Sequence, residues 1–116
     1  MGEDAVCRYL MDRGHSILER NWRTGHLEVD IISMSRNGIH FVEVKSRIAP
    51  VMASPEENVG IVKQRRIARA ASRYLSERKD AGIYGLEVHL DVASVVFEGG
   101  RTSVVYFEDA YVPIYV

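Results

Sequence analysis

Apolar positions divide the chain into segments of two periodicities. Between Glu3 and Arg13, Val6, Tyr9 and Leu10 recur at three- and four-residue spacing, and Gly14 follows as a C-terminal stop, which predicts a first helix. His15 to Trp22 carries Ile17 and Leu18 and reads as a short strand, with Arg23, Thr24 and Gly25 as the turn. Leu27 to Met34 is β-branched and apolar except for Glu28 and Asp30, and Ile39 to Arg47 repeats that character around Glu43 and Lys45. Ser35-Arg36-Asn37-Gly38 lies between them, and Asn-Gly flanked by apolar runs predicts an antiparallel hairpin. The stretch 48–58 has two prolines and little periodicity and reads as a mobile loop. From Val59 to Lys79, Ile67, Ala71, Tyr74 and Leu75 share one side of a second helix. Leu86 to Phe97 and Thr102 to Phe107, joined by Glu98-Gly99-Gly100-Arg101, form a last strand pair. The predicted order is αβββαββ, an α/β or α+β domain with helices packed on a mixed sheet.

The hairpin makes a parity argument available. Residues opposite each other on antiparallel strands have a constant sum of positions and share a face. A four-residue loop from Ser35 to Gly38 sets Asp30 against Glu43 and Glu28 against Lys45, whereas a two-residue Asn37-Gly38 loop sets Asp30 against Lys45. Either register puts Glu28, Asp30, Glu43 and Lys45 on one face; a three-residue loop would separate them. Charged groups in the middle of apolar strands are costly to desolvate unless paired or bound to a cation. Two readings follow, a cross-strand ion pair of Lys45 with Glu43 or Glu28, or a hard-metal site with an adjacent lysine. Mg²⁺ takes one or two carboxylates plus waters and substrate phosphate, and a neighbouring lysine can orient a water or offset charge on the phosphate. Lys63 shares the stripe of Ile67, Ala70 and Tyr74 at the start of the second helix, so it is expected to point toward the sheet, although snorkelling from the core edge gives the same pattern. Glu3 shares the Val6 and Leu10 row of the first helix, where a first-turn glutamate also suits the helix dipole.

Length and composition narrow the class. At 116 residues the chain fits one domain, 1–116, and its apolar content can form a core. No apolar run approaches the ~20 residues that span a bilayer and the N-terminus does not resemble a signal peptide, so the expectation is a cytoplasmic protein without a membrane partner. Cys7 is the only cysteine, which excludes an internal disulfide and a thiolate zinc cluster. A formal charge of −1 gives no global basic field, so binding to nucleic acid needs a local patch. Lys63, Arg65, Arg66, Arg69 and Arg73 concentrate positive charge on the second helix; a solvated helix face is the plainer reading, phosphate binding the functional one. Arg47 and the 48–58 loop border the proposed site. His15, His26, His40 and His89 lack metal-ligand spacing and read as surface or core-edge residues, and Trp22 as a packing residue.

Gly2-Glu3, Ala5, Tyr9-Leu10, Arg20-Asn21, Glu28-Val29-Asp30-Ile31-Ile32, Phe41-Val42-Glu43-Val44-Lys45-Ser46-Arg47, Lys63 and Asp91-Val92 together resemble the YraN-like family of small bacterial proteins. That family is similar in turn to the restriction-endonuclease-like nucleases, which carry an Asp and then Glu-x-Lys on the next strand, and to archaeal Holliday-junction resolvases, which add a glutamate on the first helix. The resemblance implies a restriction-endonuclease-like αβββαβ core with one extra C-terminal strand. It implies a Mg²⁺ (or Mn²⁺) site with Asp30, Glu43 and Val44 as metal ligands. Lys45 takes the place of the catalytic lysine, with Glu3 and Lys63 as further catalytic candidates. The substrate class implied is DNA, branched or otherwise structured by analogy with the resolvases. Charge placement makes Arg47, Arg65, Arg66 and Arg69 the candidates for binding it, and the weak net charge and short length suggest a partner or a homodimer to complete the DNA surface. The family usually has glycine where this chain has Leu27, and an Arg-Phe-Asp-Val where it has His89-Leu90-Asp91-Val92. The competing expectation is a non-catalytic nucleic-acid- or protein-binding module on the same fold.

Overall fold

A computed structural model describes residues 2–48, 60–78 and 85–111. Its elements run α1 (Gly2–Asp12), β1 (Ser16–Thr24), β2 (Leu27–Ser35), β3 (Gly38–Ile48), α2 (Ile61–Glu77), β4 (Val88–Glu98) and β5 (Arg101–Phe107), the predicted order. The five strands form one sheet in chain order. β1–β2, β2–β3 and β4–β5 pair antiparallel, while β3 and β4 pair parallel from Ile39↔Val88 to Ile48↔Phe97. A parallel pair needs a crossover, and α2 lies in it.

The two helices cover opposite faces. Ile67, Ala70 and Tyr74 of α2 pack on Val29, Ile32 and Phe41, whereas Val6 and Leu10 of α1 pack on Ile31, Val42 and Val95. The α2 stripe expected from its spacing is the one that is buried. Trp22 is a packing residue, set edge-on to Tyr74 with ring centroids 5.1 Å apart.

The turns account for the shifted ends. β1 runs on to Thr24, because Arg23 and Thr24 pair with Glu28 and Leu27, leaving Gly25 at φ 61 and His26 to reverse the chain. Ser35 pairs with Gly38 across Arg36 and Asn37, so the turn has two residues but sits one position before Asn37-Gly38, and the register is the one expected of the four-residue loop, with Ile31 opposite Val42. Glu98 pairs with Arg101 across Gly99 and Gly100, both with positive φ, as a tight hairpin turn demands. The second helix is shorter than 59–79, and both those end residues, like nearly all of the expected 48–58 loop, lie outside the described residues. Only Ile48 of that loop is described, and it ends β3. Among the described residues no helix is long and apolar enough to cross a membrane.

Candidate metal centre

Alternation of side chains by twos fails at one point of β2. Val29 and Ile32 both join the α2-side core, while Ile31 joins the α1-side core, so the count slips at Asp30. On β1 the matching irregularity is Asn21 at φ 50, a left-handed conformation that asparagine tolerates better than most residues. Pairing of β2 with β3 runs as far as Ile31↔Val42, and beyond it the Asp30 carboxylate takes over, its Oδ2 accepting the Val44 N–H at 2.8 Å. Glu28 lies past the slip and pairs with Arg23 of β1 at 3.5 Å, while still lining the cavity of Asp30 and Glu43.

Asp30 and Glu43 line the same cavity of about 280 Å³, together with Glu28, Lys63, Arg66 and Ile67. Burial pushes the Asp30 carboxyl up to about 6 against the opposing pull of the Val44 amide, and the charges of Glu3, Glu28 and Glu43 push the same way. Its Oδ1 has no hydrogen-bond partner among the described residues. Glu43 is held from two sides: the Tyr111 hydroxyl donates to Oε2 at 2.7 Å, and Lys63 Nζ stands 3.6 Å from Oε1. Lys63 thus reaches in from the start of α2, as its stripe position predicts. Lys45 follows two residues after Glu43. Burial lowers its affinity for a proton, Glu43 works against that, and Lys63 and Arg47 add to it. Gly2 packs on the end of β3, where an added Cβ would collide with Ser46 Oγ. That contact sets the first turn of α1 over the sheet. Glu3 there lies 4.0 Å from Arg20 and contributes to the field at Asp30 without lining the cavity. Val44 meets the site through its amide, on Asp30.

Arg66 borders the cavity, and Arg65 and Arg69 are exposed on α2. Arg47 is half-buried near the end of β3, opposite Val96.

A second polar cluster lies at the other end of β3, and here the sequence reading is overturned. His40 and His89 are buried at 1% and 4% exposure rather than at the surface or core edge, because β3 and β4 are central strands covered on both faces. They are register partners whose rings stack with centroids 4.5 Å apart, and His15 tilts against His40 at 4.6 Å. One ligand atom each from His40, His89 and Glu108 lie within 4.8 Å of one another, so these three could hold a metal ion. The ring nitrogens are already engaged. His40 meets Asp91 at 2.7 Å and Ser35 at 2.8 Å, and His89 meets Asp109 at 2.8 Å and the Asn37 carbonyl at 3.0 Å. Both partners of His89 are acceptors, which only the doubly protonated ring satisfies. Burial pulls its pKa down, yet Asn37 and Asp109 outweigh that and hold it above its ordinary value. Buried Asp91 also accepts from the Tyr106 hydroxyl and the Asp109 amide. Parallel pairing of His40 with His89 was the missed signal, and it follows from topology rather than spacing.

The family described as Uncharacterised protein family UPF0102 matches residues 2–95, a span holding Glu3, Asp30, Glu43, Lys45 and Lys63. A UPF0102 protein of Bacteroides thetaiotaomicron is 36% identical over 112 residues, 97% of this chain and 89% of that protein. Another, of Syntrophotalea carbinolica, is 40% identical over 110 residues, covering 95% and 87%. A UPF0102 protein of Oleidesulfovibrio alaskensis is 49% identical over 76 residues, 66% of this chain and 38% of that protein. Among solved structures, that of Pyrococcus furiosus SfsA in complex with Ca²⁺ matches with a TM-score of 0.37 and 18% identity, over 90% of this chain and 58% of that one. At that score the shared geometry is too slight for anything about this chain to follow from it.

Proposed function

We propose, for a chain that belongs to the protein family UPF0102, the YraN-like family its motifs resemble, that the cavity between β2, β3 and α2 is the site of a metal-dependent hydrolase of DNA phosphodiester bonds. The observation that carries this reading is the convergence of Asp30 and Glu43 on one cavity, with Asp30 partly buried among three other carboxylates and one of its oxygens unpartnered among the described residues. A carboxylate kept in such surroundings suits a hard divalent cation, which takes oxygen ligands and leaves room for water and phosphate. Asp30 and Glu43, with Val44 beside them, are the residues that would hold Mg²⁺ or Mn²⁺. Polarisation of a phosphate oxygen and acidification of a water are what such an ion supplies when bound.

The protein's own groups do the rest. Lys45, two residues along the strand from Glu43, offsets charge that builds on the phosphate or orients the attacking water. Lys63 brings a second cation to the mouth of the cavity from α2, and Glu3 tunes the field at Asp30 from α1. Arg66, with Arg65 and Arg69 along the same helix and Arg47 at the end of β3, contacts the DNA backbone. By analogy with the resolvases the substrate is branched or structured DNA, and a second copy of the chain completes the surface.

The test is cleavage of branched, flap and linear DNA with Mg²⁺ or Mn²⁺ by the protein and by Lys45→Ala. The variant should lose roughly 100-fold or more in rate, within the range for removal of one group that stabilises a transition state. Equal rates in the two proteins would attribute the cleavage to a contaminant and remove the enzyme reading. An absence of saturable Mn²⁺ binding would favour a binding module with a structural ion cluster.

A further inference from the structure

Among the described residues both oxygens of Glu43 are engaged, and its two partners differ in kind. Tyr111 is 2% exposed, packed in the core beneath α2 with Phe41, Leu90 and Tyr74, and its own N–H is fixed to the Leu90 carbonyl at 3.3 Å. From this buried ring the hydroxyl donates to Oε2 at 2.7 Å, a contact built into the core. Lys63 has a side chain 53% exposed on the first turn of α2, at 3.6 Å from Oε1, longer than a charge-assisted hydrogen bond. That contact is a loose one, which a lysine with many rotamers surrenders readily.

Resting on the metal-site reading above, we propose that Tyr111 is a positioning residue that fixes the Glu43 carboxylate for a divalent cation, while Lys63 is the exchangeable counter-charge which that cation displaces. The geometry divides the two oxygens accordingly. Oε2 is kept in place by a donor that stays, and Oε1 is covered by one that can depart. A neutral hydroxyl donor leaves the carboxylate its charge and orients its free lone pairs, the part that partners of metal-binding carboxylates play. The ammonium competes with the incoming ion for the same oxygen and lowers affinity by repulsion. Once displaced, Lys63 keeps its place at the cavity mouth and is free to meet the phosphate of the substrate. No sequence motif marks Tyr111, which lies beyond the last strand.

The two roles predict shifts of opposite sign in Mn²⁺ affinity, read from free Mn²⁺ by electron paramagnetic resonance without any substrate. Tyr111→Phe, which removes only the hydroxyl, should weaken Mn²⁺ binding by about tenfold or more, the usual cost of losing such a partner. Lys63→Met, at an exposed position, should tighten it by about three- to tenfold, more at low salt than at high. A melting curve of each variant separates lost positioning from lost folding. Tyr111→Phe binding as the wild type does, or Lys63→Met failing to bind more tightly, overturns the proposal while leaving the metal site standing. If instead Asp30→Ala binds Mn²⁺ as well as the wild type, the metal site itself falls, and this proposal with it.

Discussion

Asp30 sits where three demands meet: it caps the Val44 amide, ends the β2–β3 pairing and shares its surroundings with Glu3, Glu28 and Glu43. Its folded-state value of about 6 lies above the ordinary 3.8, so the folded chain retains a proton over an interval in which the unfolded chain has lost it. Its contribution to stability therefore falls as pH rises from about 4 to about 6 and is level above that. Asp30→Asn keeps an acceptor for the Val44 N–H and removes the ionisation. Without metal it should melt a few degrees higher than the wild type near pH 8 and almost level with it near pH 4, as thermal scans would show. An equal difference at both pH values would contradict the buried-charge account. Asp30, Glu43 and Lys45 are legible in the sequence because charged residues inside β-branched runs announce an unpaid desolvation. Tyr111 is not, since a tyrosine near a chain end carries no pattern, and its role comes only from where the core folds it.

At the scale of elements, β3 organises the molecule by pairing antiparallel on one side and parallel on the other. The period of two made the hairpin legible, and the Asn37-Gly38 step placed its turn to within a residue. What periodicity does not supply is the strand beside β3 on its other edge, and so spacing alone understates the depth of His40 and His89. His89 joins three elements through the Asn37 carbonyl in the β2–β3 turn, Asp109 after β5 and the His40 ring. His89→Ala should cost about 2–4 kcal/mol in urea unfolding, the scale of a buried charged group removed from its partners. Because the folded-state pKa of His89 is raised, this contribution is full at low pH and is lost as pH rises through that value. The gap between wild type and variant should narrow accordingly as pH rises above the ordinary histidine value of 6.5. Gly38 marks the same junction. At φ 130 it lies so close to the Glu87 carbonyl that a Cβ would collide with it.

For the molecule as a whole, charge is distributed rather than summed. A formal charge of −1 conceals a helix whose arginines stand beside the cavity and along one exposed face. If these bind DNA, Arg66→Ala and Arg69→Ala should each weaken binding across sequences and reduce the slope of log affinity against log salt by about 1. Arg101→Ala, on the far edge strand, should leave the slope as it was. Both the two-layer cover of the sheet and the element order follow from apolar spacing, because each helix stripe needs a sheet face to bury it. Which helix takes which face depends on the handedness and length of the crossover, which no local pattern encodes. That crossover also fixes an order of events on the ribosome. β1, β2 and β3 meet through short turns and can assemble as they emerge, but the long edge of β3 from Ile39 to Ile48 waits for β4 until the whole of α2 has been synthesised. Through that interval the nascent chain offers an apolar edge to any extended segment nearby, so release before Val88 would yield a fragment prone to aggregate.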